Sequence, residues 1–193
     1  MAWSRCRPPK PSRAVLSYNV AALLRAAPGT SRSYPVAVAT LPIADGLALA
    51  APIAGEVRLA RTGRSILATA ELSTAIEASC SRCLRLVVEP LEIRIEEEAL
   101  PSVDIDSGQP VDLAADPDAL RLDAHHELDL AQPVRDAISL AEPITVLCRP
   151  DCRGLCPVCG IDMNDNPDHA HAEEEVDPRL AALEAWRDGS SSD

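Results

Sequence analysis

Residues 65–97 read SILATAELSTAIEASCSRCLRLVVEPLEIRIEE, and this stretch decides the fold class. Two runs of apolar–polar alternation, Ser65–Ser79 and Leu84–Glu97, flank Cys80-Ser81-Arg82-Cys83. In the second run Leu91, Ile93 and Ile95 alternate with Glu92, Arg94 and Glu96. A period of two places successive side chains on opposite faces, so each run reads as a strand with one face on a core and one in water. Upstream, Gly55–Arg61 alternates in the same way, and Thr62-Gly63-Arg64 supplies a hairpin turn into the next strand. Tyr34–Leu41 reads as a further strand. Before it, Asn19 can cap a short helix over Val20–Ala26 that Pro28-Gly29 stops. Downstream, the acidic, Pro- and Gly-rich span Pro101–Asp123 reads as a long loop. Leu128–Leu140 reads as a helix, with Asp129 and Gln132 at N-cap and N3 spacing and Glu142-Pro143 ending it. Ile144–Leu147 reads as a short strand, and Asp177–Arg187 as a last helix whose apolar stripe includes Trp186.

The expected architecture is α+β: a mainly antiparallel, twisted sheet of about five strands, open or partly closed, with a few helices and a C-terminal zinc-knuckle appendage. Three segments follow from this. Residues 1–13 are a disordered basic extension, 14–147 a β-rich domain with helices, and 148–193 a Cys/His-rich segment with the last helix.

Composition narrows the function. The 193 residues are 47% hydrophobic and 25% charged, with no Phe, two Trp and two Tyr. The core must therefore be aliphatic, and a base-stacking RNA platform is disfavoured. No run approaches the roughly 18 apolar residues of a membrane helix, and no apolar stretch follows the basic N-terminus as a secretory leader requires. A cytoplasmic location without membrane contact is the expectation. Phosphate-binding loops, dinucleotide fingerprints and nucleophile elbows are all missing, so no small-molecule substrate is expected. Charge is uneven: residues 1–94 carry 12 basic and 6 acidic side chains, residues 95–193 carry 6 and 24. The first half suits phosphate and the second a basic partner. Arg58, Arg61 and Arg64 lie on and after one strand. Arg58 and Arg64 could share a sheet face across the turn with Arg82 and Arg85, and together with Arg61 these are the candidate RNA-contacting residues.

Six of the seven cysteines are paired at metal-ligand spacing. Cys80-x2-Cys83 lies between two strands. Cys148-x3-Cys152 precedes Cys156-Pro-Val-Cys159-Gly160, a zinc-knuckle pattern, and His169-x-His171 follows. Two structural zinc sites are possible, Cys80/Cys83/Cys148/Cys152 and Cys156/Cys159/His169/His171. A single local site from Cys148, Cys152, Cys156 and Cys159, or reduced free thiols, are the alternatives. Cys80-Ser-Arg-Cys83 lacks the βαβ context of a thioredoxin-like redox site, and Cys6 reads as an incidental exposed thiol. No catalytic residue is assigned; thiolate-rich sites are mostly structural. His125-His126 and the runs Glu96–Glu98 and Glu173–Glu175 read as solvated surface.

Several motifs together resemble one family. They are Asn19-Val20-Ala21 with Leu23-Leu24 and Gly29-Thr30-x-Arg32, then Cys80-Ser-Arg-Cys83-Leu84, then Glu127-Leu-Asp-Leu130 with Val134-Arg135-Asp136. The most specific is Leu147-Cys148-x-x-Asp151-Cys152-Arg153-Gly154-Leu155-Cys156-Pro157-x-Cys159-Gly160. Over roughly residues 15–187 the chain is similar to YceD-like proteins, the large ribosomal RNA subunit accumulation proteins. The resemblance implies a non-enzymatic ribosome-biogenesis factor supporting accumulation or maturation of large-subunit ribosomal RNA. It would bind that RNA or its precursor, a basic ribosomal protein, or both. Many relatives close the C-terminal cluster with Cys-x-Cys; here His169-x-His171 stands in that place, and imidazole is an equivalent zinc ligand. Other relatives lack the second cluster while keeping the first pair, and residues 1–13 match nothing in the family. A zinc-dependent enzyme acting on RNA or nucleotides, or a zinc/thiol sensor, is the alternative.

Overall fold

A computed structural model describes residues 16–43, 47–111, 119–171 and Arg179. In chain order the elements are β1 (Ser17–Asn19), α1 (Ala21–Leu24), β2 (Ser31–Val38), β3 (Ala48–Thr62), β4 (Ser65–Ser79), β5 (Leu86–Pro101), β6 (Leu120–Leu122), β7 (Glu127–Asp129) and α2 (Ala131–Ala141). The alternating runs become the long strands β3, β4 and β5, of 15, 15 and 16 residues. A two-residue turn, Gly63-Arg64, joins the first two: Thr62 pairs with Ser65, and Gly63 supplies the positive φ of 69°.

The main sheet runs β2-β3-β4-β5-β6, and β1 pairs with β7 in a separate two-stranded ribbon. Registers align apolar side chains into rows: Tyr34 faces Val57, Val57 faces Ala70, and Ala70 faces Ile95. Ile53, Val57, Leu59, Leu72, Leu91, Ile93 and Ile95 are buried on this face. Leu23 and Leu24 of α1 and Val134 and Ile138 of α2 close over it. The i, i+4 spacing of Val134 and Ile138 gives α2 one buried stripe. As the absence of Phe requires, the core is aliphatic.

Four differences from the sequence reading have physical causes. The five-stranded sheet is mainly antiparallel, as expected, but it is mixed and not closed, because β6 lies parallel to β5 at Ala99–Pro101. Three residues, Leu120-Arg121-Leu122, are too short to print a period, so β6 was hidden in the expected loop. Ile144–Leu147 is not a strand; Ser81 N donates to the Val146 carbonyl at 2.8 Å and no ladder forms. The N-terminus of α2 also begins later than expected. Glu127–Asp129 is strand β7, Leu130 is the N-cap, and the Asp129 carboxylate accepts from Ala131 N at 2.8 Å outside the helix. Gln132 accordingly donates to Asp136 instead of closing a capping box. Likewise α1 is one turn, with the Asn19 carboxamide oxygen accepting from Ala21 N. Residues 1–13, Trp186 and, apart from Arg179, the helix expected over 177–187 lie outside the described residues. No helix among the described residues is long and apolar enough to cross a membrane.

One glycine decides strand packing. The register of β3 against β4 shifts between Leu49 and Ala51 and again between Ala51 and Ala54, bending β3 just before Gly55. A Cβ at Gly55 would sit 2.1 Å from the Glu71 carbonyl oxygen of β4, whereas at Gly63 it would meet nothing. Gly55→Ala should therefore cost about 1–3 kcal/mol through forced strand separation. Gly63→Ala should cost about 1 kcal/mol, from the positive φ alone. Denaturant unfolding of the two variants tests the order.

Candidate metal centres

The turn between β4 and β5 and the turn at 156–161 share one hydrogen-bond pattern. Cys80 N donates to Arg85 O at 2.8 Å, and Leu84 N to Cys80 O at 2.9 Å. Cys156 N donates to Ile161 O at 2.8 Å, and Gly160 N to Cys156 O at 2.9 Å. These are twin knuckles. Gly160, at φ 72°, occupies the left-handed position in one; Leu84, at φ 61° and 65% exposed, occupies it in the other. A branched residue in this region is strained by roughly 1–2 kcal/mol. Leu84→Gly should accordingly raise unfolding stability by about 1 kcal/mol, and an unchanged or lowered melting curve would contradict the strain.

The knuckles point backbone N–H groups at sulfur. Those of Cys83 and Cys148 donate to the Cys80 sulfur and bring its thiol down to about 6 against the opposing effect of desolvation. Those of Cys159 and Val158 bring Cys156 to about 6 in the same way. Cys148, by contrast, is pushed up to about 12, first by desolvation and then by the neighbouring Cys83, Cys152 and Cys80 sulfurs. Such a set holds four thiolates only with a cation at its centre.

Geometry agrees with that chemistry. The ligand atoms of Cys80, Cys83, Cys148 and Cys152 all lie within 4.8 Å of one another, as do those of Cys156, Cys159, His169 and His171. Cys80 and Cys152 sulfurs are 3.8 Å apart, and Cys83 and Cys148 sulfurs 3.6 Å. Four sulfurs at the zinc–thiolate bond length stand about 3.8 Å apart in a tetrahedron, while a disulfide needs about 2.05 Å. In the second group Cys159 Sγ lies 3.1 Å from His169 Nε2 and 3.3 Å from His171 Nε2, the two imidazole nitrogens 2.9 Å apart. Both groups therefore fit a zinc-sized cation with four protein ligands each, and thiolate and imidazole are the donor types that zinc takes. The single cluster of Cys148, Cys152, Cys156 and Cys159 is not how the chain is arranged.

The two groups differ in setting. Cys80, Cys83 and Cys152 are buried with Val87, Leu147 and Leu155 packed around them. This group joins the β4–β5 turn to a segment 65 residues later through the Cys83–Cys148 pair. In the second group Cys159 and His171 are exposed.

Residues that the sequence did not single out hold the centres together. The Asn164 amide Nδ2 donates to Cys152 Sγ at 3.4 Å and to Asp162 Oδ1 at 2.7 Å. Its Oδ1 accepts from Arg153 N and Arg149 Nη2, both at 2.8 Å. Gly154 adopts φ 79°, and a Cβ there would stand 2.9 Å from the Arg82 carbonyl oxygen. Asn164 and Asp162 sit in an acidic loop where the bare sequence suggests only solvation.

The five arginines do not form one surface. Arg82 donates from Nη1 to Cys152 O at 2.7 Å, and its own carbonyl accepts from Leu155 N at 3.0 Å. Arg85 pairs with Asp162 at 2.8 Å and also with Asp165. These two clamp one knuckle to the other. Arg64 lies in the turn at the opposite end of β4, some 50 Å away along a 15-residue strand. Arg58 and Arg61 point to opposite faces of β3, since three positions separate them. Arg61 binds the carbonyls of Gly63 and Ala26, tying the segment after α1 to the hairpin. Arg58, exposed, donates to Ser31 Oγ at 3.1 Å. The shared patch expected from sequence fails because β4 and β5 are long enough to carry the cysteine turn to the far end of the sheet.

Residues 68–186 match the profile of the family described as "Large ribosomal RNA subunit accumulation protein YceD". An uncharacterized protein of Mycobacterium bovis is 33% identical over 129 residues, which are 66% of this chain and 58% of that protein. One from Mycobacterium leprae is 27% identical over 134 residues, 69% of this chain and 58% of that protein. The chain thus spans less than two thirds of these relatives' length. A maize protein, "Large ribosomal RNA subunit accumulation protein YCED homolog 1, chloroplastic", is 39% identical over 41 residues, 21% of this chain and 14% of its own. No solved structure matches. The matched span contains most of β4, all of β5, both cysteine knuckles and α2, and the chain belongs to the YceD family of large ribosomal RNA subunit accumulation proteins.

Proposed function

We propose that this chain is a non-enzymatic, cytoplasmic factor that supports accumulation of large-subunit ribosomal RNA, with structural zinc in both centres. Membership of the family so described is the observation that carries the reading. The metal centres support a structural role: each offers four protein ligands, which fills a tetrahedron and leaves no position for a water or substrate. The zinc would supply cross-linking of the β4–β5 turn to the 148–171 segment, and the chain's own side chains would make the contacts to partners.

Those partners are large-subunit ribosomal RNA or its precursor and a basic ribosomal protein. Arg58 and Arg64 are the members of the arginine set outside the metal clamp and the Ala26 tie, so they are the ones to offer phosphate contacts. The acidic second half favours a basic protein over RNA. Depleting the protein should lower large-subunit ribosomal RNA relative to small-subunit RNA. Wild-type protein should restore the ratio, and Arg58→Glu/Arg64→Glu should restore it less well. An unchanged ratio on depletion overturns the reading.

A further inference from the structure

β5 has a free edge. Pairing with β6 covers only Ala99–Pro101, and among the described residues nothing pairs with that side of β5 upstream of Ala99. Pro90 removes one donor, which leaves Leu91–Glu98 with a row of main-chain N–H and C=O groups directed away from β4. The other sheet edge differs, since β2 carries Pro35 at its centre.

Beside the free edge runs a groove of about 610 Å³. Six consecutive residues of β5, 92–97, form one wall, so the groove borders the strand's backbone as well as both its faces. The other wall is α2, with Ala137 and Leu140 among its lining residues. Leu140, two residues past the buried Ile138 and so turned off the core stripe of α2, is 86% exposed. The charged lining is Glu92, Glu96, Glu97 and Asp136 against the single cation Arg94.

We propose that this groove binds an extended, basic protein segment that adds to β5 as an edge strand. Main-chain hydrogen bonds to Leu91–Glu98 would supply the pairing. Alternation then sets the ligand's pattern. On the outer face its side chains meet Glu92, Arg94, Glu96 and Glu98, three carboxylates to one cation, and should be mainly Lys or Arg; on the inner face they meet Ala137 and Leu140, with Glu97 beyond Ile95, and should be mainly aliphatic. Nucleic acid is disfavoured by the four carboxylates in the lining. The chain's own segment 112–118 is disfavoured too, since its charges, Asp112, Asp116 and Asp118, match the groove in sign. The proposal deepens the ribosomal reading by naming the surface for its basic protein partner, and rests on that reading only for which protein is bound.

The test uses the full chain and fluorescein-labelled ten-residue peptides of alternating Arg and Val, alternating Glu and Val, and an Arg–Val peptide N-methylated at every second residue. Anisotropy should show the Arg–Val peptide binding at least tenfold tighter than either other peptide. Hydrogen exchange should slow within residues 91–98. Glu92→Lys/Glu96→Lys, exposed positions whose change leaves the core intact, should reverse the charge preference. Equal binding of the N-methylated peptide, or protection elsewhere, would overturn strand addition in favour of diffuse charge attraction. Binding that tightens severalfold only when residues 1–13 are deleted would make the chain's own basic terminus the occupant and overturn the partner. Peptide binding by a protein that retains no ribosomal component from cells would leave the groove standing and remove the ribosomal reading. The converse would do the opposite.

Discussion

Cys80→Ser should release one zinc per chain and lower the melting temperature by about 10 °C or more. Ligands of structural zinc contribute directly to folding, because the unfolded chain has no assembled site. The Cys80 group carries this load because it is the tie between the end of the long sheet and the segment from Cys148 onward. Three of its four cysteines, Cys80, Cys83 and Cys152, are buried, so a vacated site leaves polarizable thiols crowded in an apolar pocket with Val87, Leu147 and Leu155. His169→Ala/His171→Ala should also release one zinc. Its thermal cost should be much smaller, since two of its four ligands, Cys159 and His171, are exposed and it cross-links only residues 156–171. Metal analysis by mass spectrometry alongside thermal unfolding checks both. Two zinc per wild-type chain and one in each variant is the expected count; equal thermal losses would contradict the assigned division of labour. Because each centre needs deprotonated thiolates, zinc should be held at neutral pH and lost on acidification.

Asn164→Leu should weaken zinc binding at the Cys80 group about 10- to 100-fold while keeping the stoichiometry at saturating metal. Its amide donates to the Cys152 sulfur and anchors to Asp162, while its carbonyl fixes Arg149 and the Arg153 backbone. Leucine preserves the size and removes every one of these bonds. The sulfur then loses a donor that favours its charged form; that hydrogen bond works against desolvation to hold the Cys152 thiol below its ordinary value. Competition against a chromogenic chelator reads the affinity, and unchanged competition would make Asn164 a bystander.

These effects show where the sequence was informative. The long strands were legible because alternation persists for many residues, as at Leu91, Ile93 and Ile95 against Glu92, Arg94 and Glu96. The hairpin at Gly63 was legible for the same reason plus one glycine. Short elements were not: β1, β6 and β7 have three residues each, fewer than any period needs, and tertiary pairing creates them. β7 also displaced the expected start of α2, since Asp129 serves equally as a capping residue and as a strand end. The grouping of Cys80 and Cys83 with Cys148 and Cys152 was one of two arrangements open to spacing alone, and geometry brings these four together. The first knuckle was harder to recognise than the second because Leu84 stands where Gly160 stands in its twin. Asn164 gave no signal, because a hydrogen bond to sulfur depends on the fold of the whole loop. The arginine patch failed for a geometric reason: sequence neighbours across a turn are close, but residues at the two ends of a 15-residue strand are not.

The most direct test of the central claim is a native pull-down of the tagged full chain, washed at low and then high salt, with both RNA and protein identified. The account predicts retention of large-subunit ribosomal RNA or its precursor together with basic ribosomal proteins at low salt. It predicts their release as salt rises, because phosphate and carboxylate contacts are screened. Recovery of neither RNA nor ribosomal protein above background at low salt would contradict it.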